Sequence, residues 1–383
     1  MNNIPRKFVK ISLFIISVSA AVAVSLVFLR ISLDFPTRYS SQDIEFRLNW
    51  LTKRLSRLPS PKEMINSRHI EFTGEWGLVT YSMSAAALTN IAMDKPERSI
   101  EFSEQIARWI EWATSKSAYQ FDEQAWGRSP LLDEVLNGDE GHIGYYGHLN
   151  FMLGCYALLN SDGRFQSLHL RVSEAIARRM NKYPHRHVET YPGQNYPPDN
   201  TVAVASLSIF DKAYENKYGV LIKEWIGQTK RIESGPYGIV PFQIDTVTGM
   251  PIQEARGSNN AWNSFFLTFI DEDYANIQYQ RLLSMTRSAL GFSGLREYAR
   301  GHNFTADRDT GPVIFGLGAS STAFLVAGAT RWNGHQLSRG LLRSIELLGC
   351  TTTRGILRHY ATAPVVGEAI MLAMKTIRPW RKL

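Results

Sequence analysis

Two kinds of helical segment alternate along this chain, and their order restricts the fold more than any other feature. Six segments are apolar or small on nearly all sides, and six others have one apolar stripe and one charged face. A helix that is apolar all round is buried, whereas a helix with a single stripe packs at the outside of a domain. The unit recurs every 50–70 residues, roughly, so we predict a closed ring of paired helices.

The alternation assigns six inner and six outer helices. The inner segments begin near Trp76, Gly147, Asn200, Ala261, Pro312 and Pro364, and Val313 already belongs to the fifth. The outer segments cover 43–58, 98–114, 168–180, 217–230, 277–290 and 336–348. The ring closes if the first outer helix packs beside the last inner helix.

The connections between these segments are unequal in a regular way. Those from inner to outer segments are short, whereas those from outer to inner segments are long (115–146, 182–199, 232–260, 291–311 and 350–363). In a ring of antiparallel pairs, the long connections all lie on the face where the inner helices begin. Long connections in compact folds are usually functional, and helix N-termini favour anionic or polyhydroxylated ligands. Alternation and a Thr248-Gly249 turn predict a small β-hairpin over 238–255.

The chain begins with a membrane-type segment. Residues 11–29 carry no charge and are long enough to span a bilayer, and Arg6, Lys7 and Lys10 precede them. A signal peptide cleaved near Ala23 is the alternative, but the apolar run continues past that point. We therefore predict a cytoplasmic N-terminus (1–10), a transmembrane signal anchor (11–30), a linker (31–42) and an extracytoplasmic barrel domain (43–383), periplasmic or at the cell surface in a bacterium.

Several classes of function lack support. The net charge of +7 is modest and no basic block is interleaved with aromatic residues, so we predict no nucleic-acid partner. No phosphate-binding glycine loop occurs, and His185 and His187 lack an evident third ligand, so we predict no cofactor and no metal. Cys155 and Cys350 are the only cysteines, and the sequence tells neither whether they are bonded nor the oligomeric state.

Two aspartates at the starts of inner helices are the leading catalytic candidates. Asp199 follows Tyr196 and two prolines at the third inner helix, and Asp309 precedes the fifth. An aspartate before a helix is often only a cap, but one held rigidly at the mouth can act as a general acid or base. If both serve one substrate, their carboxyl groups should lie within roughly 5–10 Å of each other.

Aromatic and polar residues in the same connections complete the predicted site. Tyr145, His148 and Tyr298 are candidate proton carriers or stacking groups. Arg256 is a candidate clamp for a carboxylate, although a salt bridge with Glu254 would be a structural alternative. The other predicted substrate-binding residues are Trp76, Tyr146, Tyr196, Glu254, Asn259 and Asn260, and Glu75 places another carboxylate beside Trp76.

Two stretches carry a resemblance to a known family: 144–149 (GYYGHL), and 196–200 (YPPDN) running into 206–211 (SLSIFD). With the repeat, they make the chain similar to (α/α)6-barrel enzymes, nearest the group of linalool dehydratase-isomerase and the C-terminal domain of D-glucuronyl C5-epimerase. The resemblance covers nearly everything after Ser41 and implies an all-α (α/α)6 barrel with a small β-hairpin insertion.

Three functions stay open at this point. The first is an enzyme acting by acid/base chemistry on a glycan or uronate-like substrate, as an epimerase, lyase or hydrolase. The second is a lyase or isomerase of a hydrophobic alcohol, like linalool dehydratase-isomerase, and the third is a binding module without catalysis. Loop tyrosines and carboxylates favour the first, a dry apolar funnel would favour the second, and carboxylates facing away from the funnel would favour the third.

Overall fold

A computed structural model describes residues 12–26, 29, 40–57, 59, 70–214, 216–299, 310–332 and 334–383; of 70–73 only the helical backbone is described. The outer helices are α1 (Ser41–Leu55), α3 (Ser99–Ala113), α7 (Gln166–Lys182), α9 (Gly219–Ile232), α11 (Glu272–Leu283) and α13 (His335–Gly349). The inner helices are α2 (Ile70–Asp94), α6 (Ile143–Leu159), α8 (Pro197–Ala213), α10 (Gly257–Ile270), α12 (Ala319–Arg331) and α14 (Val365–Thr376). Helices α4 (Lys116–Trp126) and α5 (Asp133–Leu136) lie between α3 and α6.

The inner helices form a closed ring. Each one packs against the next, and α14 packs against α2. Helix α1 packs on α14, so the first outer helix does lie beside the last inner helix. The predicted ring of six inner and six outer helices is therefore confirmed.

Residue size sets how closely the inner helices approach. In α6 every residue except Gly144 is buried. A Cβ atom on Gly154 would lie 2.5 Å from Ile209 Cγ2, and one on Gly147 would lie 3.1 Å from the Ala203 nitrogen. These glycines let α6 and α8 pack backbone to backbone, and burial of the surrounding apolar side chains stabilises the ring.

The C-terminal segment after α14 closes one end of the ring. The Trp380 ring lies 4.2 Å from that of Phe269 and 5.4 Å from that of Phe151, and its Nε1 donates a hydrogen bond to Asn90 Oδ1. The Leu383 nitrogen donates to the Leu158 carbonyl. Phe269, Asn90 and Leu158 lie near the C-terminal ends of inner helices, so this segment covers the face opposite to the long connections.

Within the described part of the long connections there are four β-hairpins, of which the sequence predicted one. The predicted hairpin is β1 (Gln243–Ile244) with β2 (Pro251–Gln253), and Gly249 in its turn has φ +70°. The others are β3 (Thr286–Ala289) with β4 (Phe292–Leu295), β5 (Val313–Ile314) with β6 (Leu317–Gly318), and β7 (Thr351–Arg354) with β8 (Leu357–Tyr360).

Two predicted helix boundaries were wrong because of these hairpins. Helix α11 ends at Leu283 rather than at residue 290, and α12 begins at Ala319 rather than at Val313. The responsible turns are Leu290-Gly291 and Phe315-Gly316, in which both residues have positive φ. Such two-residue turns match the twist of paired strands, so the chain forms a hairpin at each of them. Each hairpin interrupts the predicted helix although the sequence there is apolar.

The predicted anchor over 11–30 lies partly outside the described residues. Its residues 12–26 are helical with exposed side chains. Among the described residues, no helix combines the length and the apolar character needed to cross a membrane.

Candidate functional site

A cavity of about 510 Å³ opens where the inner helices begin, on the face of the long connections. Its wall is built from five inner helices (α2, α6, α8, α10 and α12) near their N-terminal ends, from one side of α4, and from the loops before α8 and α10. The lining residues are Glu75, Trp76, Val79, Phe121, Ala125, His148, Tyr191, Pro192, Gln194, Tyr196, Pro198, Asp199, Phe242, Ser258, Asn259, Trp262 and Phe324. The cavity thus lies where the pattern of connections predicted a site.

Two carboxylates of the wall are held by consecutive loop residues. The Tyr191 hydroxyl donates to Glu75 Oε2 at 2.8 Å, and the Thr190 hydroxyl donates to Asp199 Oδ2 at 2.7 Å. Glu75 belongs to α2 and Asp199 to α8. The loop between α7 and α8 therefore orients two carboxylates that lie far apart in sequence.

The start of α8 explains why Asp199 points into the wall. Proline is tolerated in the first turn of a helix, so α8 begins at Pro197 with Tyr196 as the capping residue. Asp199 is then the third helical residue, and its side chain binds Thr190 instead of capping the helix. Asp199 lies three positions after the capping residue, so the alternative that it is only the helix cap does not hold, and its carboxylate lines the cavity.

The loop that carries Thr190 and Tyr191 is itself fixed. Asn200 Oδ1 accepts from the Val188 nitrogen at 2.8 Å, and Asn200 Nδ2 donates to the Val188 carbonyl at 3.0 Å. Trp126 Nε1 donates to the Thr190 carbonyl at 3.2 Å. These bonds limit the movement of both hydroxyls, so the two carboxylates have a rigid support.

Aromatic rings form much of the remaining wall. Tyr196 and Phe242 pack with ring centroids 5.0 Å apart, and Trp262 and Phe324 pack at 5.3 Å. Trp76 adjoins Glu75, as predicted. Flat rings beside carboxylates suit a sugar, whose apolar face can stack while its hydroxyls donate hydrogen bonds.

His148 lines the cavity as a neutral group. Its Nδ1 lies 2.9 Å from the Ser82 hydroxyl, and its ring lies 6.1 Å from that of Trp262. Burial lowers the pKa of His148 to about 3. The imidazole can therefore orient a ligand by a hydrogen bond, but it does not carry positive charge near neutral pH.

Tyr191 is a hydrogen-bond donor that stays protonated. Burial raises its pKa well above the usual value, and the negative charges of Glu75 and Asp199 raise it further. A phenol in this state holds Glu75 in place and is a poor general base.

Tyr145, Tyr146 and Asn260 were predicted in the site but have structural partners elsewhere. The Tyr145 hydroxyl donates to the Ala113 carbonyl and the Tyr146 hydroxyl donates to the Pro130 carbonyl, and burial raises the pKa of both tyrosines. Asn260 accepts from the Val240 nitrogen and donates to the Val240 carbonyl. Glu254 is exposed, and none of these four residues belongs to the described lining.

Arg256 and Tyr298 lie at the rim rather than in the lining. The Arg256 guanidinium lies over the Phe242 ring at 3.8 Å and over the Tyr298 ring at 5.9 Å. Next to them, Glu297 is buried and accepts from the Ser258 hydroxyl at 2.5 Å. Burial raises the pKa of Glu297 to about 7.

Three further sequence-based expectations concern Asp309, the two cysteines and metal binding. Asp309 lies outside the described residues, so its predicted pairing with Asp199 stays a prediction. Cys155 is buried and Cys350 is exposed, and neither is bonded. Within the described ranges, no three His, Cys, Asp or Glu side chains are grouped as metal ligands would be.

Several residues of the site were not predicted: Tyr191, Phe242, Trp262 and Phe324 line the cavity, and Thr190 binds Asp199. Tyr191 and Thr190 precede the YPPDN stretch, and their only signal was that position. Trp262 and Phe324 lie inside apolar helices, where periodicity does not distinguish a residue at a cavity from one in the core.

One comparison with a solved structure agrees with the architecture. No protein-family profile matches the chain. The unsaturated glucuronyl hydrolase from Bacillus sp. GL1, described as responsible for degradation of glycosaminoglycan, is 11% identical with a TM-score of 0.54, over 87% of this chain and 95% of that one. A polysaccharide lyase is 11% identical with a TM-score of 0.46, over 77% and 89% of the two chains.

At 11% identity, the similarity to the glucuronyl hydrolase is evidence for the fold alone. It supports assignment of the chain to the (α/α)6-barrel architecture. The narrower resemblance to linalool dehydratase-isomerase and the C5-epimerase domain stays a prediction.

Proposed function

We propose that this protein is a glycoside hydrolase that cleaves its substrate with the Glu75 and Asp199 carboxyl groups. The observation that carries the proposal is the pair of carboxylates in one aromatic-lined cavity, each fixed by a hydroxyl of the same loop. The glycan-degrading hydrolase of similar fold supports the same class of reaction.

The reaction needs one proton donor and one proton acceptor. One carboxyl group donates its proton to the glycosidic oxygen as the bond from carbon to that oxygen breaks. The other carboxylate takes a proton from the water whose oxygen forms the new bond to the same carbon. Tyr191 and Thr190 keep the two groups oriented, and the aromatic rings position the sugar.

Hydrolysis fits this wall better than the two alternatives. Elimination next to a uronate carboxylate is helped by a cation that neutralises that group, and the described lining has neither Lys nor Arg. A reaction on a hydrophobic alcohol like that of linalool dehydratase-isomerase, which uses a pair of cysteines, would need thiols at the cavity, and no cysteine occurs in that lining. A binding module without catalysis predicts no turnover of any glycan by the wild type, which the experiment below measures.

The test compares Glu75→Gln and Asp199→Asn with the full-length wild type on a panel of oligosaccharides, by release of reducing ends. Each variant should lose about a hundredfold or more in kcat while it unfolds at the wild-type temperature. The variant of the proton donor should recover on aryl glycosides with good leaving groups, which need no protonation. Glu104→Gln, an exposed carboxylate on α3, is the control. Normal turnover by either site variant would reject the pair.

We also propose that the barrel is tethered outside the cytoplasm through residues 11–29. The uncharged apolar run and the preceding Arg6, Lys7 and Lys10 support this location. In inverted membrane vesicles, added protease should leave the barrel intact unless detergent is present. Digestion without detergent would reverse the orientation.

A further inference from the structure

The charge of the cavity wall indicates which glycans suit it. Glu75 and Asp199 line the same cavity as Trp76 and Trp262, and no lysine or arginine occurs among the described lining residues. Building on the proposed glycosidase function, we propose that this site binds glycans with protonated amino groups, such as oligomers of glucosamine, in preference to uronate-containing glycans.

The effect of this negative charge is visible at Tyr191. Besides burial, the charges of Glu75 and Asp199 raise the pKa of Tyr191, because they disfavour a second negative charge at its oxygen. A substrate carboxylate in the same cavity would meet the same repulsion. A protonated amine would be attracted by the same two groups.

Several oxygen atoms of the wall can accept hydrogen bonds from a ligand. Glu75 and Asp199 are acceptors when ionised. Asn259 also lines the cavity, and its buried Oδ1 has no hydrogen-bond partner among the described residues. A wall of this kind suits a ligand rich in donors, and an ammonium group offers three donors besides the sugar hydroxyls.

The aromatic rings favour the same ligand. The faces of tryptophan and tyrosine rings carry negative partial charge and attract cations. Trp76 and Trp262 are the largest rings of the wall, and Trp76 directly follows Glu75 in the chain. A hexosamine can thus stack its apolar face on one ring while its amine lies close to a carboxylate.

Arg256 is a described cation that lies beside the lining and packs on aromatic rings. Its guanidinium lies over the faces of Phe242 and Tyr298. Its positive charge also acts on buried Glu297, whose pKa it lowers against the larger effect of burial. These contacts hold Arg256 beside the wall, where it contributes to ring packing.

The test measures binding rather than turnover. Three oligosaccharides of equal length are titrated into the full-length protein near pH 6 by calorimetry: glucosamine tetramer, its fully N-acetylated form, and galacturonate tetramer. The glucosamine tetramer should bind at least about tenfold more tightly than the acetylated tetramer, and the galacturonate tetramer should bind most weakly. Added salt should reduce the first difference.

Charge-neutral variants identify the source of the preference. Glu75→Gln and Asp199→Asn should each weaken binding of the glucosamine tetramer about fivefold or more and change binding of the acetylated tetramer much less. Glu104→Gln removes the same unit of charge from an exposed position and should leave all three affinities unchanged.

The outcomes separate this inference from the proposed reaction. If the galacturonate tetramer binds as tightly as the glucosamine tetramer, if the amine and its acetylated form bind equally, or if none of the three binds, the preference is wrong. Cleavage of uronate glycans, together with tighter binding of the galacturonate tetramer than of the glucosamine tetramer, would leave the hydrolase proposal standing and overturn the preference. Selective binding of the amine without cleavage of any glycan would support the preference and reject the hydrolase.

Discussion

The Tyr191 hydroxyl donates to Glu75 across 2.8 Å and joins the loop before α8 to the first inner helix. The two residues lie 116 positions apart in the sequence. Thr190, the preceding residue, binds Asp199 in the same way. One short loop thus sets the position of both proposed catalytic carboxylates. Substitution of its two hydroxyl-bearing residues is therefore a direct test of the site.

Removal of the Tyr191 hydroxyl should reduce catalysis without unfolding the protein. A hydrogen bond to a charged group is worth about 1.5–3 kcal/mol, so Tyr191→Phe should lower kcat by roughly tenfold to a hundredfold. Tyr196→Phe is the matched control, because its hydroxyl also lies at the cavity but donates to the Gln194 side chain. Equal losses in the two variants would show that the bond to Glu75 has no special role.

The ring of helices was predictable because burial acts on whole helices. A helix without a polar face, such as α6, must be surrounded by protein. Because such helices alternate with amphipathic ones, few arrangements of the chain can bury all of them. The unequal connections then indicated the face on which the cavity lies. Neither inference needs the orientation of any single side chain.

Side-chain direction within an inner helix was not predictable in this way. His148 lines the cavity, whereas Tyr145, three residues earlier in the same helix, donates its hydroxyl to Ala113 on α3. Both residues lie in a sequence that is apolar on every side, so no periodicity separates the two directions. The Phe315-Gly316 turn was missed for a related reason, since asparagine or aspartate is the usual signal at its first position.

Substitution of two adjacent asparagines should have different effects, one on stability and the other on KM. Asn260→Ala leaves the buried Val240 backbone without its side-chain partner and should cost about 1–3 kcal/mol of unfolding free energy. Asn259→Ala should instead raise KM, because Asn259 lines the cavity, and should leave stability nearly unchanged. Urea unfolding and steady-state kinetics on both variants check this. A raised KM with normal stability in Asn260→Ala would restore that residue to the site.

Glu297 should make stability depend on pH between about 4.5 and 7. Burial raises its pKa from 4.5 to about 7, so the folded state holds this proton more tightly than the unfolded state does. Its contribution is therefore complete below about pH 4.5 and is lost as pH rises through 7, by on the order of 3 kcal/mol. Glu297→Gln removes this loss.

Urea unfolding at a series of pH values should show Glu297→Gln gaining on the wild type as pH rises from about 4.5 to 8. The control Glu104→Gln should follow the wild-type curve throughout. Parallel curves for the wild type and Glu297→Gln would mean that Glu297 ionises at its ordinary pKa.

Substitution of Arg47, which lies where the ring of helices closes, should strongly reduce the free energy of unfolding. Its buried guanidinium, on α1, binds Asp43 at 3.1 Å, Glu346 of α13 at 3.0 Å and Glu368 of α14 at 3.1 Å. Arg47→Met leaves these buried carboxylates without that cation, which should cost about 3–5 kcal/mol. Arg98→Met, which breaks partly exposed ion pairs with Glu45 and Glu101 on the outside, should cost at most about 1 kcal/mol. Urea unfolding measures both, and similar losses would mean that α1 does not depend on this cluster for its attachment to the ring.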